Sequence, residues 1–233
     1  MAHEGKVELK VHVSLDSLCM SILREAFCKN GDEDNAMVRS VLAVDPLSSS
    51  TIATLMGFEC NEVLLLPESI QSLLTLHDDT NHPVQSFHKS FPDFITDIFR
   101  CRDLQFYISP GYHTELALYC FEYVGHLEKN MCSIPDYALN SEVRDLRKTI
   151  EESGVRGAME YSCRSWYKHL TVTKHRTPDV VAAPRSFLEG RFIFWLEVLS
   201  VLGAVGGDAR ALNMSIKWLN EVCSDSQLDP SGS

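Results

Sequence analysis

Beyond Arg100 the apolar residues of this chain recur at three- and four-residue spacings in one segment after another, a periodicity that admits little except packed helices. Leu116, Tyr119, Cys120, Tyr123 and Leu127 form one stripe, and Val155, Met159, Cys163, Trp166, Tyr167 and Leu170 form a second. Leu212, Ile216, Leu219 and Val222 form a third. Ser141 is placed to cap a helix that turns Val143, Leu146 and Ile150 inward, with Arg147 facing Glu151 and Lys148 facing Glu152 on its wet side. Residues 192–202, FIFWLEVLSVL, are apolar almost all round and too short to span a bilayer, which predicts a central buried helix. Helices joined by short links over 101–223 predict an α-helical bundle or superhelical arm.

The residues before Arg100 carry a mixed pattern. After a turn-like break at Ser14, Leu15, Leu18, Ile22 and Phe27 mark a short amphipathic helix, ended by KNGDED. A second helix over 35–44 stops at Asp45, because the following Pro46 disfavours helical geometry there. The row of Ser and Thr in PLSSSTIATLMGF caps a helix that buries Ile52, Leu55 and Met56, and Gly57 closes it in left-handed geometry. Asn61 opens another helix, which Pro67 kinks or splits. Residues 75–88 then show two short extended runs around a polar turn, a hairpin pattern. In SFPDFITDIF, Ser90 caps a helix, Pro92 falls in its first turn, and Phe91, Phe94, Ile95 and Ile98 make its apolar face. This is winged-helix order over 15–100, between a divergent or flexible N-terminus at 1–14 and, past the arm, a disordered tail at 224–233. The expected fold is mainly α: a winged-helix-like unit with a short β-hairpin, followed by an α-helical bundle or superhelical arm.

Charge narrows the function. The 32 acidic and 21 basic residues leave a net charge of −11, and no Lys or Arg cluster occurs, which argues against nucleic acid and anionic membranes. The candidate recognition helix over 49–56 has no basic residue, so a winged-helix DNA-binding protein is the least favoured reading. The longest stretch free of charge, Pro46 to Phe58, is rich in Ser and Thr, so no membrane span is expected. The opening MAHEGKVELK lacks the apolar core of a secretory signal, and the eight cysteines contain no C-x-x-C pair. Both features predict a cytoplasmic protein with reduced thiols.

No catalytic residue and no metal site is expected. His77, His82 and His88 lie near Cys60 without ligand spacing, and the glycine cluster LGAVGGD at 202–208 follows a helix and carries no Lys. Glu115, Glu122, Glu160 and Glu197 fall at the edges of apolar stripes. One segment stands apart, PVQSFHKSFPDFITD at 83–97. His88, flanked by Phe87 and Phe91 between an extended run and a helix, is placed either to donate to an outside anion or carbonyl or to bond a nearby main-chain carbonyl.

Four segments in the same order, FHKSFPDFITD at 87–97, NMCSIPDYALNSEV at 130–143, YSCRSWYKHL at 161–170 and FWLEVLSVLGAV at 194–205, carry a family resemblance. From about Leu15 to Cys223 the chain resembles basidiomycete fungal NACHT proteins with WD repeats, signal-transducing (STAND) P-loop NTPases related to NOD-like receptors. The resemblance implies the region between the NTPase core and the WD-repeat propeller, a winged helix followed by a helical arm. It implies that His88 is a nucleotide-sensing residue at the β-phosphate of bound ADP, with Ser90 and Asp93 as orienting neighbours. It further implies a non-enzymatic regulatory or interaction module, with NACHT cores or related family members as protein partners. The chain has no Walker A Lys, no Walker B acidic run and no WD repeat, and the helix around Val41 is short. These departures fit a truncated member. They imply no cofactor of its own, with ADP or ATP entering only when a separate NTPase core supplies it, and they leave open an alternative in which the module acts on such a core in trans.

Overall fold

The computed structural model describes residues 4–27, 47–57, 68–75, 82–135, 138–143, 145–153, 155–173 and 177–227, with the backbone alone at 4–14, 68, 147, 207–209 and 223–227. The chain divides into two compact units, Met1–Ser109 and Pro110–Ser233. The fold is mainly α, a winged-helix-like unit with a short antiparallel hairpin followed by a helical bundle.

In the first unit, helix α1 spans Glu4–Phe27 and passes straight through Ser14. The break expected there does not occur, since neither Pro nor Gly interrupts the chain between Lys6 and Phe27. Its buried residues are Cys19, Leu23, Ala26 and Phe27, while Leu18 is exposed, so the inward face is rotated from the one the Leu and Ile spacing predicted. Helix α2, Ser49–Met56, is capped as expected: Ser48 Oγ accepts from the Thr51 N–H at 3.2 Å, and Gly57, at φ 73°, donates to the Ala53 and Thr54 carbonyls. It buries Ile52 and Leu55. The helices expected over 35–44 and at Asn61, with the Pro67 kink, lie outside the described residues; the chain is next seen as a 3₁₀ turn at Glu68–Ser72.

Strands β1, Leu74–Thr75, and β2, Gln85–Ser86, pair antiparallel with Leu74 opposite Ser86 and Thr75 opposite Gln85. Two further main-chain bonds seat this hairpin, from Val84 N–H to the Leu47 carbonyl and from Phe87 N–H to that of Leu73. Helix α3 covers only Ser90–Ile95 and buries Phe91, Phe94 and Ile95. Ile98, expected on the same face, falls beyond the helix end and is exposed. Residues 97–108 then fold back: Cys101 N–H bonds the Asp97 carbonyl, Ile108 N–H bonds that of Ile95, and Phe106 packs on Phe27.

The second unit contains α4 (Tyr112–Gly125), α5 (Leu146–Glu152), α6 (Ala158–Val172), α7 (Pro178–Gly190), α8 (Phe192–Val201) and α9 (Asp208–Gln227). α4 and α6 are its most extensively packed pair. Of the predicted α6 stripe, Val155, Met159, Cys163, Trp166 and Leu170 are buried and Tyr167 is half-buried. Trp166 lies at the centre, its ring 5.3 Å from Phe121, 5.1 Å from Phe187 and 5.9 Å from Trp195, while the Trp195 indole donates to the Cys163 carbonyl.

Four local expectations change. Asp145, not Ser141, caps α5, accepting from the Lys148 N–H at 3.0 Å, and Ser141 sits in a 3₁₀ turn. The Lys148 and Glu152 pair forms at 3.6 Å, whereas the Arg147 side chain lies outside the described residues. α7 had no counterpart in the periodicity because Pro178 and Pro184 look like breakers; Pro178 occupies the first turn, where no N–H is needed, and the interior Pro184 is buried. α8 is half-buried instead of central: Trp195, Val198 and Leu199 face in and Ile193 faces out. α9 turns Ala211, Ser215, Trp218 and Val222 inward and leaves Ile216 exposed, because Trp218 brings the largest side chain on the helix and a donor for the Thr173 carbonyl. The helix runs through Gln227, so 224–227 of the expected tail are helical, and 228–233 lie outside the described residues. Among the described residues no helix is long and apolar enough to cross a membrane.

Candidate functional site

His88 occupies the short join between β2 and α3. Both sides of that join are anchored, by the Phe87 N–H to Leu73 bond before it and by buried Phe91 and Phe94 after it. The imidazole turns back on the chain. Its Nδ1 accepts the Ser90 main-chain N–H at 3.1 Å and lies 2.6 Å from Ser90 Oγ. A main-chain N–H can only donate, so Nδ1 carries the lone pair and the ring proton resides on Nε2. The ring is exposed, and Nε2 has no hydrogen-bond partner among the described residues. His88 does not bond a main-chain carbonyl: it accepts through Nδ1 and presents one N–H donor outward.

Ser90 thus has a different place from the one expected. It is the first residue of α3, not its cap; Lys89 stands at the cap position without a side-chain bond, and the Ser90 hydroxyl meets the imidazole. Asp93 lies in the same first turn but is exposed and makes no hydrogen bond to His88 or Ser90. Its charge acts instead on the Arg100 guanidinium, together with Asp97 and with Asp16, whose hydrogen bond is the largest influence raising the pKa of that group. The fold therefore assembles His88 with Ser90 and leaves Asp93 outside the bonded pair. Of the two flanking aromatics, Phe91 is buried and Phe87 is 65% exposed, so an apolar surface lies beside the donor.

His82 is exposed and His77 lies outside the described residues; among the described residues no cluster of His, Cys, Asp or Glu has the arrangement of a metal site. Burial pushes the Cys120 and Cys163 thiols up to about 12 and Cys101 up to about 11, so these groups stay protonated and poorly nucleophilic at neutral pH.

One polar cluster had no signature in the sequence. In the second unit, His113 Nδ1 from α4 lies 3.0 Å from His169 Nδ1 on α6, and His169 Nε2 lies 2.6 Å from the Tyr161 hydroxyl. His169 is fully buried. One proton bridges the two Nδ1 atoms, and a second would set N–H against N–H. Burial lowers the pKa of His113 from its ordinary 6.5, so the folded state holds it neutral while the unfolded chain takes up a proton. The sign follows: its contribution is complete above the ordinary histidine range and is lost as pH falls through that range toward the depressed folded value. The melting temperature of the second unit is expected to be level above about pH 7.5 and to decline below about pH 6.5. In His113→Gln that acid-side decline should shrink; an unchanged slope in thermal melts at constant ionic strength would show that His113 is not responsible.

No family model, no curated protein and no solved structure matches the chain. The fold defines a class of architecture, a winged-helix-like unit joined to a helical bundle.

Proposed function

We propose that this chain is a non-enzymatic regulatory and interaction module of a NACHT-type signalling NTPase, acting in the cytoplasm. In this reading it meets an NTPase core on a separate chain, and the edge bearing His88 faces the nucleotide held there. The observation that carries the reading is the state of His88: an anchored imidazole whose Nδ1 is engaged by Ser90 and whose Nε2–H points outward from an exposed position. A single oriented donor of this kind suits a phosphate or carbonyl oxygen presented by a partner. Ser90 sets the tautomer and ring direction, and Asp93, outside the bonded pair, is a neighbour without a direct part. The net charge of −11 favours a protein partner over nucleic acid. ADP or ATP enters only with the core.

The test is binding to a purified NACHT-type core. The chain is expected to bind the ADP-loaded core more tightly than the empty one, and His88→Ala should weaken binding to the loaded form about tenfold, the effect of a hydrogen bond to a charged group. Asp93→Asn should change it little. Equal affinity of wild type and His88→Ala would remove His88 from the interface, and micromolar binding of ADP to the isolated chain would overturn the non-enzymatic reading.

A further inference from the structure

A groove of about 900 Å³ runs along α1 beside residues 99–104 of the first unit, with Met20 in its wall. The segment forming its other side is braced. Arg100 grips both carboxylate oxygens of Asp16, through Nε at 3.0 Å and Nη2 at 2.6 Å, and Arg24 reaches Asp103 at 3.1 Å. Cys101 is fully buried beneath it, and the Phe99 N–H is held by Asp97 Oδ1 at 2.8 Å. On this fixed frame two large apolar side chains face solvent: Phe99 is 84% exposed and Leu104 is 71% exposed. Singly exposed apolar residues are ordinary, but two on a braced segment flanking one groove form a surface that loses little conformational entropy when covered.

Charge identifies the occupant. Arg24 and Arg100 already hold carboxylates, and Asp93 and Asp97 add to the field at Arg100. Arg102, between Phe99 and Leu104 in sequence and part of the same groove, makes among the described residues only a main-chain bond, from Nε to the Phe99 carbonyl at 3.4 Å. Arginine beside an exposed aromatic is the composition of an interface centre, and the complement of an uncompensated guanidinium is a carboxylate.

We propose that this groove is a docking face for an acidic segment of a partner protein, one that places an aliphatic or aromatic side chain against Phe99 and Leu104 and a carboxylate on Arg102. His88 and Ser90 do not line this groove, so the proposal stands whether or not their edge meets a nucleotide.

The test uses a random-peptide display library selected on the full-length chain. Enriched peptides are expected to combine Asp or Glu with an aromatic or aliphatic residue. Their synthetic forms should lose about tenfold or more in affinity for Phe99→Ala, Leu104→Ala and Arg102→Ala. Arg102→Glu should reverse the charge preference, binding the Lys-substituted form of the same peptide better than the acidic form. His88→Ala should leave peptide affinity unchanged, and circular dichroism checks that each variant is folded. Four outcomes overturn the proposal: no enrichment; enriched peptides without acidic residues, or indifferent to these substitutions; self-association in sedimentation velocity that Phe99→Ala abolishes, which would make a second copy the occupant; and binding to phosphatidylcholine–phosphatidylserine vesicles that Phe99→Ala abolishes, which would make the face a membrane contact.

Discussion

Trp166→Ala is expected to destabilise the second unit by about 3–5 kcal/mol, a large part of the stability of a domain this size. Trp166 is fully buried, and its ring neighbours Phe121, Phe187 and Trp195 come from α4, α7 and α8, so one side chain on α6 ties three other helices together. Those rings sit on separate helices and cannot all close the space that a missing indole leaves. The buried Trp166 Nε1 makes no hydrogen bond among the described residues, so the substitution also removes an uncompensated donor and regains on the order of 1 kcal/mol. This sets a second, discriminating expectation: Trp166→Phe keeps much of the apolar surface, discards the same donor, and should cost only about 1–2 kcal/mol. Urea denaturation followed by far-ultraviolet circular dichroism measures both. A loss below about 1 kcal/mol for Trp166→Ala would mean that the aromatic cluster does not hold the bundle together.

Phe91→Ala is expected to cost the first unit about 3–5 kcal/mol by the same mechanism. Phe91 is buried in a helix of only six residues, too short to persist without its packing, so losing that anchor should release α3 and the Ser90 N–H that orients His88. His88→Ala takes away the Nδ1 acceptor of the Ser90 N–H at the start of α3, a cap-like loss that should cost about 0.5–2 kcal/mol, less than Phe91→Ala. The pair separates fold from function: Phe91→Ala should lose both unfolding midpoint and partner binding, and His88→Ala should lose partner binding with a much smaller fall in midpoint. Denaturation midpoints that fall equally for the two variants would make His88 a structural residue.

Which parts of the fold were legible in the sequence depended on which side chains do the packing. The α6 face could be read because large apolar residues from Met159 to Leu170 stand at its spacing and are buried. In α9 the buried positions include Ala211 and Ser215, small residues that hydropathy does not mark, while Ile216 faces water. In α1 two apolar rows compete, and tertiary packing chose Cys19 and Leu23 over Leu18. α7 was hidden behind two prolines whose positions in the helix make them tolerable. At the candidate site, the sequence pointed to His88 and to Ser90 two residues on, but it read Ser90 as a helix cap and did not show that the imidazole accepts from Ser90, which frees the outward nitrogen. The His113 and His169 contact joins residues 56 positions apart and arises only when α4 meets α6, so no local pattern announces it.

The most direct measurement is the rate at which labelled ADP leaves a purified NACHT-type core, followed by stopped-flow fluorescence with the chain added in trans. Wild-type chain should slow release by about tenfold, and His88→Ala, shown to be folded, should restore the rate of the core alone. Release that is equally fast with no chain, wild type and His88→Ala would contradict a regulatory role for the His88 edge.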